Sequence, residues 1–197
     1  MSWLTSVNLS KRDIRLEPLS LSHLNELQAA VKDGELWKLW FTSVPKPDDV
    51  KSYIEAALEQ KKATKQLAFA VIDKQTNQAI GSTRYCNVDS TNRRLEVGYT
   101  WYAKRYQKTA TNTICKYLLL THAFEQLNCI AVEFRTHWHN QASRQAIARL
   151  GAKQDGVLRQ HQQMPDGSYR DTVVFSILNS EWSAVKKNLE LKLSSRS

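Results

Sequence analysis

Three kinds of feature are scarce or missing in this chain of 197 residues, and each absence removes a class of explanation. Cysteine occurs three times, at Cys86, Cys115 and Cys129, and never as C-x-x-C. An odd number without paired spacing argues against a disulfide framework or a cysteine-ligated zinc site, so the three are read as reduced, buried small side chains. Long apolar runs are also missing. The longest is "LAFAVI" at 67–72, far short of a membrane-crossing helix. The first residues, "MSWLTSVNLSKRD", lack a basic stretch followed by an apolar one, so a secretory signal is not expected and a cytoplasmic location is. Glycine, finally, is absent from the one loop where it would be most expected. "YQKTATNT" (106–113) joins the strand-like "RLEVGYTWY" (94–102) to the helix-like "TICKYLLLTHAFEQL" (113–127), and strand-to-helix loops that hold phosphate usually carry glycines.

What is present is ordinary for a globular chain: 42% apolar and 24% charged residues, a length suited to one substantial domain, and no internal repeat. Basic residues outnumber acidic ones 28 to 19, a net charge of +9. That favours anionic partners such as nucleotides, phosphates or RNA, although the charge is spread along the chain and no aromatic residues alternate with it as in a single-strand binding platform.

Hydrophobic periodicity gives the element order. "RDIRL" (12–16) alternates as a strand; 19–34 places Leu21, Leu24, Leu27 and Val31 at helical spacing; 48–65 does the same with Val50, Ile54, Ala57 and Leu58. Strands follow at 67–73, 78–86 and 95–102, with 87–94 as a polar connection; then come the helix at 113–127, a strand at 129–137, a helix at 140–152 closing on Gly151, and a hairpin over 157–178 through Pro165-Asp166-Gly167. The fold class is α+β: a mostly antiparallel sheet with one parallel strand–helix–strand crossover at 95–137. Residues 1–182 read as a single domain, and 183–197 as a basic tail, helical through Val185, Leu189 and Leu193 and disordered at its end.

The crossover carries the chemistry. Its helix begins where free backbone N–H groups and the positive end of the dipole form an anion site, and Lys104, Arg105, Lys108 and Lys116 are expected around it. The residues "EVGY", "NQASRQAIARLGA" and "DGSYRDTVVFSI", in this order, resemble the GNAT superfamily of acetyl-CoA-dependent N-acyltransferases, and within it the RimJ/RimL type that acetylates ribosomal-protein N-termini. The resemblance covers roughly 10–182 and is strongest over 94–152. It implies helices flanking a mixed sheet in which two parallel strands, about 95–101 and 130–136, splay to admit pantetheine, and it implies acetyl-CoA as co-substrate with no metal.

By the same resemblance the pyrophosphate loop pattern Q/R-x-x-G-x-G/A falls on Gln107, Lys108, Thr109, Ala110, Thr111 and Asn112, with Thr113 next. Gln107 matches, Ala110 replaces the first glycine, and Asn112 departs at the last position. If residue 110 needs a positive φ, alanine costs about 1–2 kcal/mol; if its φ is helical, it costs nothing. Tyr99, Thr100 and Trp101 belong to the strand whose backbone N–H groups are candidates to hold the thioester carbonyl, and the resemblance implies coenzyme contacts from Asn140 and Arg144.

Catalysis of amide formation needs a neutral amine, a donor for the oxyanion and a proton for the thiolate. Glu96 is the candidate base and, by resemblance, Ser143 the donor to the thiolate. Asn140 is equally a good N-cap, Ser143 an ordinary first-turn serine, and Glu96 an ordinary strand carboxylate beside an arginine. Trp37, Trp40 and Arg84 are candidates for the acceptor side, and "HWH" (137–139) lacks the further ligands a zinc site needs. An α-amine, with pKa about 7.7–8.0, suits a single modest base better than lysine at about 10.4. A protein or peptide N-terminus is therefore the leading acceptor, with a small amine (amino acid, toxin or antibiotic) as the alternative. A non-catalytic acyl-CoA-binding module and a basic RNA-associated protein are the readings from other classes. A homodimer is expected from the family, membrane association is not, and contact with nucleic acid is expected only through a ribosomal acceptor.

Overall fold

The structure is a computed structural model that describes residues 3–63 and 65–195. Thr64, near the end of the second predicted helix, and Arg196 and Ser197, at the end of the tail expected to be disordered, lie outside the described residues.

Among the described residues eight strands form one sheet in the order β1-β2-β3-β4-β5-β6-β8-β7. They are β1 (Leu9–Lys11), β2 (Ile14–Pro18), β3 (Leu67–Asp73), β4 (Gln78–Asp89), β5 (Arg94–Tyr102), β6 (Ala131–His137), β7 (Lys153–Gln163) and β8 (Tyr169–Leu178). Every neighbouring pair is antiparallel except β5 with β6. The helices are α1 (Leu24–Lys32), α2 (Val50–Lys62), α3 (Thr111–Thr121, continued by a π turn over His122–Gln126), α4 (Gln141–Ala148) and α5 (Trp182–Ser194).

The predicted order of elements is present, with boundaries that differ for local reasons. The strand expected at 12–16 is a hairpin: Arg12 takes a positive φ of 53° and the chain turns there, pairing Leu9–Lys11 with Ile14–Leu16. The polar connection expected at 87–94 is shorter, since β4 runs on to Asp89 and the Asp89 carboxylate accepts from Asn92 to close the turn. The helix expected from 113 begins at Thr111, because the Thr109 hydroxyl accepts the Thr111 N–H and sets the first turn. The hairpin expected from 157 has its first strand from Lys153.

The two faces of the sheet carry separate cores. On one face α3 and α5 pack Ile114, Leu118, Leu189 and Leu193 against Leu95, Val97, Val132, Phe134 and Phe175. On the other α1 and α2 pack Leu27, Val31, Ile54 and Ala57 against Ala68, Ala70, Ile72 and Trp101. Val185, Leu189 and Leu193, the tail positions expected at helical spacing, are buried in the first core. Among the described residues no helix is long and apolar enough to cross a membrane.

Candidate active site

The site begins where β5 and β6 part. The two strands are paired over only three residues, Arg94↔Ala131, Leu95↔Val132 and Glu96↔Glu133. Tyr99 then takes a positive φ of 50°, and the pairing of β5 with β4 shifts register between Ser82 and Arg84. The resulting bulge carries β5 away from β6, and among the described residues β5 beyond Glu96 has no strand paired with it on that side.

The chain leaves β5 through the glycine-free loop, which is fixed from several sides. Tyr106 donates its hydroxyl to Asp73 Oδ2 at 2.7 Å, the Lys104 N–H donates to the Asp33 carbonyl at 2.9 Å, and the Gln107 amide donates to the Tyr102 carbonyl at 3.0 Å. Tyr102 in turn donates its hydroxyl to Asn112 Oδ1 at 3.2 Å, so the two ends of the loop are tied to one tyrosine. Gly34, at φ 100°, lets the end of α1 approach: a Cβ there would stand 2.6 Å from Lys104 Cβ. Ala110 has φ −70° and ψ −16°, an ordinary right-handed conformation, and the positive φ of the loop falls on Lys108 at 60°. The missing glycine at 110 therefore carries no conformational penalty, and the strain sits two residues earlier. The first acceptor inside α3 is the Ala110 carbonyl, which takes the Ile114 N–H, so the N–H groups of Asn112 and Thr113 stand at the open helix end. Thr111 is buried and Lys108 and Thr109 are exposed.

Period-two alternation gives β5, β6 and β8 two unlike faces. Leu95, Val97, Val132, Phe134, Val173 and Phe175 point into the core under α3 and α5. The opposite face carries Glu96 and Gly98, then Glu133, Arg135 and His137, then Arg170 and Thr172. Glu96 is 7% exposed. Its Oε2 accepts from Asn87 Nδ2 at 2.7 Å and lies 3.6 Å from Arg135 Nε. Burial pushes its pKa above the ordinary carboxyl value, against the opposing pull of Asn87 and Arg135. Gly98 makes room for it: a Cβ at 98 would come within 2.9 Å of Glu96 Oε1. Arg170, held by its Nε–H to Thr172 Oγ1, interacts electrostatically with Glu96 and with Tyr99.

Arg84 is buried, its guanidinium 4.2 Å from the Tyr53 ring centre and 4.6 Å from that of Tyr99, with Nη1 donating to Gln66 Oε1. Its Nε is buried without a hydrogen-bond partner among the described residues, as is His137 Nε2. Trp101 is buried and donates its indole N–H to Tyr53. Trp40 is half-exposed, its ring centre 4.8 Å from that of His137 and 5.6 Å from that of His139, whereas Trp37 is half-buried against the α1–α2 core. At the start of α4, Asn140 Oδ1 accepts the Ser143 N–H at 3.0 Å, the N-cap contact, and Arg144 lies 4.3 Å from the Trp138 ring centre while donating to the Trp138 carbonyl. Ser143 is half-buried.

One basic residue is not where the sequence placed it. Lys116 was expected among the cations of the loop. It is instead 5% exposed, and its Nζ donates to Thr100 Oγ1 at 2.7 Å beneath the sheet. The helix is apolar on nearly every side from Ile114 to Leu120, so a charged residue in it has nowhere else to go. Asn87, Arg135 and Arg170 went unnoticed in the sequence. The alternation of "VEFRTH" does put Glu133, Arg135 and His137 on one face, but which strands stand beside them is a matter of topology.

Open parallel strands, a loop feeding a bare helix N-terminus, and a buried carboxylate beside the opening form one arrangement. The family described as "Acetyltransferase (GNAT) domain" matches residues 13–153. The chain belongs to the GNAT acetyltransferase family. Among solved structures, a GCN5-related N-acetyltransferase from Brucella melitensis is 30% identical, with a TM-score of 0.86 over 95% of this chain and 86% of that one. Among curated relatives, the Bacillus subtilis (strain 168) protein named "Putative ribosomal N-acetyltransferase YdaF" is 33% identical over 100 residues; the match spans 51% of this chain and 54% of that protein, about half of each. A RimL ribosomal L7/L12 α-N-protein acetyltransferase shares the fold, with a TM-score of 0.77 at 15% identity over 89% of this chain and 96% of that one.

Proposed function

We propose that this GNAT protein transfers an acetyl group from acetyl-CoA to a primary amine, and that the amine is the N-terminal α-amine of a protein or peptide. The observation that carries the reading is the ladder of three residue pairs between β5 and β6, which ends at Glu96. The same opening then has, on one side, the first-turn N–H groups of Asn112 and Thr113, suited to a pyrophosphate, and, on the other, a buried carboxylate whose pKa burial raises above the ordinary carboxyl value.

In this reading Gln107 to Thr113 hold the diphosphate, with Lys108 as the exposed cation, and the β5 backbone from Gly98 to Trp101 holds the thioester carbonyl. Asn140 and Arg144 border the pantetheine arm. The amine approaches from the face of Glu96, Arg84 and Trp40. Glu96 takes the amine proton, directly or through water; the nitrogen attacks the carbonyl carbon; the C–S bond breaks, and Ser143 gives the thiolate its proton. Trp37 acts only by supporting the segment that carries Trp40. The name of YdaF, a putative ribosomal N-acetyltransferase, supports a ribosomal acceptor, and the pKa of an α-amine supports an N-terminus. Residues 1–182 as the catalytic domain, a cytoplasmic location and a homodimer belong to the same proposal.

A loop strained by the missing glycine would favour a coenzyme-binding module over an enzyme, and the helical φ of Ala110 argues against that strain at residue 110. The test is incubation of the protein with acetyl-CoA and a panel of peptides with free N-termini, N-blocked lysine peptides and small amines, following thiol release and acetylated product. Acetylation of the free N-termini in preference to the rest is expected. Transfer confined to small amines would replace the acceptor assignment, and no transfer to any amine would end the enzyme reading.

A further inference from the structure

Lys116 lies on α3, the helix whose N-terminus faces the loop, yet its Nζ is beneath the sheet. It donates to Thr100 Oγ1 at 2.7 Å, just after the Tyr99 bulge of β5, and stands 5.9 Å from the ring centre of Phe134 in β6. Both residues lie beyond Glu96 and Glu133, the last pair that joins the two strands. The ammonium therefore occupies the place where the strands separate. Thr100 Oγ1 is its only hydrogen-bond acceptor among the described residues and takes one of three donors. The Thr100 hydroxyl is bonded onward to Thr83 Oγ1 at 2.8 Å.

Among the described residues no carboxylate answers this charge. The titratable groups that interact with Lys116 are Cys115 of its own helix and Cys86 of β4, while β5 and β6 present Thr100 and Phe134. A lysine buried this way is costly to folding, and a methionine or leucine would fill the space without that cost. A strut holding the bulge through Thr100 would not need a charge.

We propose, on the basis of the acetyltransferase reading above, that Lys116 is a catalytic residue whose ammonium donates a hydrogen bond to the thioester carbonyl oxygen as that oxygen becomes an oxyanion. As the amine nitrogen bonds to the carbonyl carbon, the π pair moves to oxygen and is stabilised by the ammonium. When the carbonyl re-forms, the C–S bond breaks and sulfur leaves with the bonding pair; Lys116 keeps its proton throughout. In a site closed to water such a donor is worth far more than in solution. Burial brings the Lys116 pKa down to about 8, so the donor is lost in the mildly alkaline range.

The experiment uses the full chain, acetyl-CoA and the best peptide acceptor, and measures kcat, KM and acetyl-CoA affinity from about pH 6 to about pH 10 for the wild type, Lys116→Met and Lys116→Arg. The wild type is expected to show a falling alkaline limb near pH 8. Lys116→Met is expected to lose about 100- to 1,000-fold in kcat together with that limb, with acetyl-CoA affinity changed by less than about threefold. Lys116→Arg, if active, is expected to carry the limb to higher pH. A folded Lys116→Met protein with unchanged kcat, or with the same alkaline limb, would overturn the proposal and leave the acetyltransferase reading intact. A wild type that transfers acetyl to no amine would overturn both. If the variants do not fold, trace acetylation of the wild type with acetic anhydride decides: labelling of Lys116 should follow a pKa near 8 and be blocked by acetyl-CoA, and labelling unaffected by acetyl-CoA would refute the placement.

Discussion

The carboxylate of Glu96 and the α-carbon of Gly98 are fitted to each other: a single added methyl at 98 would stand 2.9 Å from Glu96 Oε1 and 3.2 Å from Cys86 Sγ. The carboxylate has a second anchor in Asn87, so it is held rather than free to swing aside. Gly98→Ala is expected to displace it. Because a misplacement of about 1 Å can cost roughly 100-fold in rate, turnover should fall by at least about tenfold while acetyl-CoA affinity holds within about twofold. Steady-state kinetics beside a calorimetric titration with acetyl-CoA reads both.

Glu96 also sets a pH dependence. Burial raises its pKa above 4.5, so in the folded protein it holds a proton over a range where the unfolded chain does not. Stability linked to Glu96 then falls as pH rises from the unfolded value through the folded one. Glu96→Gln should therefore be more stable than the wild type at neutral pH, and the advantage should shrink toward acid. Activity should run the opposite way: the wild type gains turnover as pH rises through the raised pKa, and Glu96→Gln lacks that acid limb. Denaturant melts and kcat profiles on the same two proteins check both signs.

The loop makes a third prediction. With Ala110 at φ −70°, Ala110→Gly relieves nothing and should alter acetyl-CoA affinity by less than about threefold. Lys108 holds the positive φ, and Lys108→Gly should gain about 1 kcal/mol of stability while losing a cation beside the helix end. Thermal melts and binding titrations at two salt concentrations separate the two effects.

Lys116 makes a fourth. Its pKa falls from 10.5 to about 8 on folding, so the penalty for burying it is fully present below pH 8 and vanishes as pH climbs past 10.5. Lys116→Met should be more stable than the wild type at neutral pH, by an amount on the order of 3 kcal/mol, with the difference closing through that window. Urea titrations at three pH values would show it. A gain in stability joined to a loss in turnover is the signature of a charge kept for chemistry.

The parts of this molecule that could be read from sequence are those set by periodicity. "LAFAVID" is β3 to the residue, and the crossover from "EVGYTWY" through the helix to "AVEFRTH" is in place with its parallel strands. Backbone conformation was not legible: nothing in "QKTATN" says that the positive φ falls on Lys108 and spares Ala110. Nor was the destination of a long side chain. Lys116 follows Lys104, Arg105 and Lys108 in a basic stretch, but the helix that carries it is buried on nearly every side, and that depends on α5 and the sheet closing around it. The neighbours of Glu96 come from β4, β6 and β8, and only strand order brings Asn87, Arg135 and Arg170 to one carboxylate.

The junction of β5 with β6 has a mechanical consequence. Five strands lie on one side of it and three on the other, and the backbone joins the two groups across three residue pairs. The sheet thus has a seam, and past Glu96 the two strands are not paired with each other among the described residues, which leaves an edge inside the sheet. A guest with amide groups of its own can lie along that edge as a substitute strand. Its arrival would stiffen both lobes at once, slowing amide exchange in β5 and β6 together and making the occupied protein a more continuous solid than the empty one.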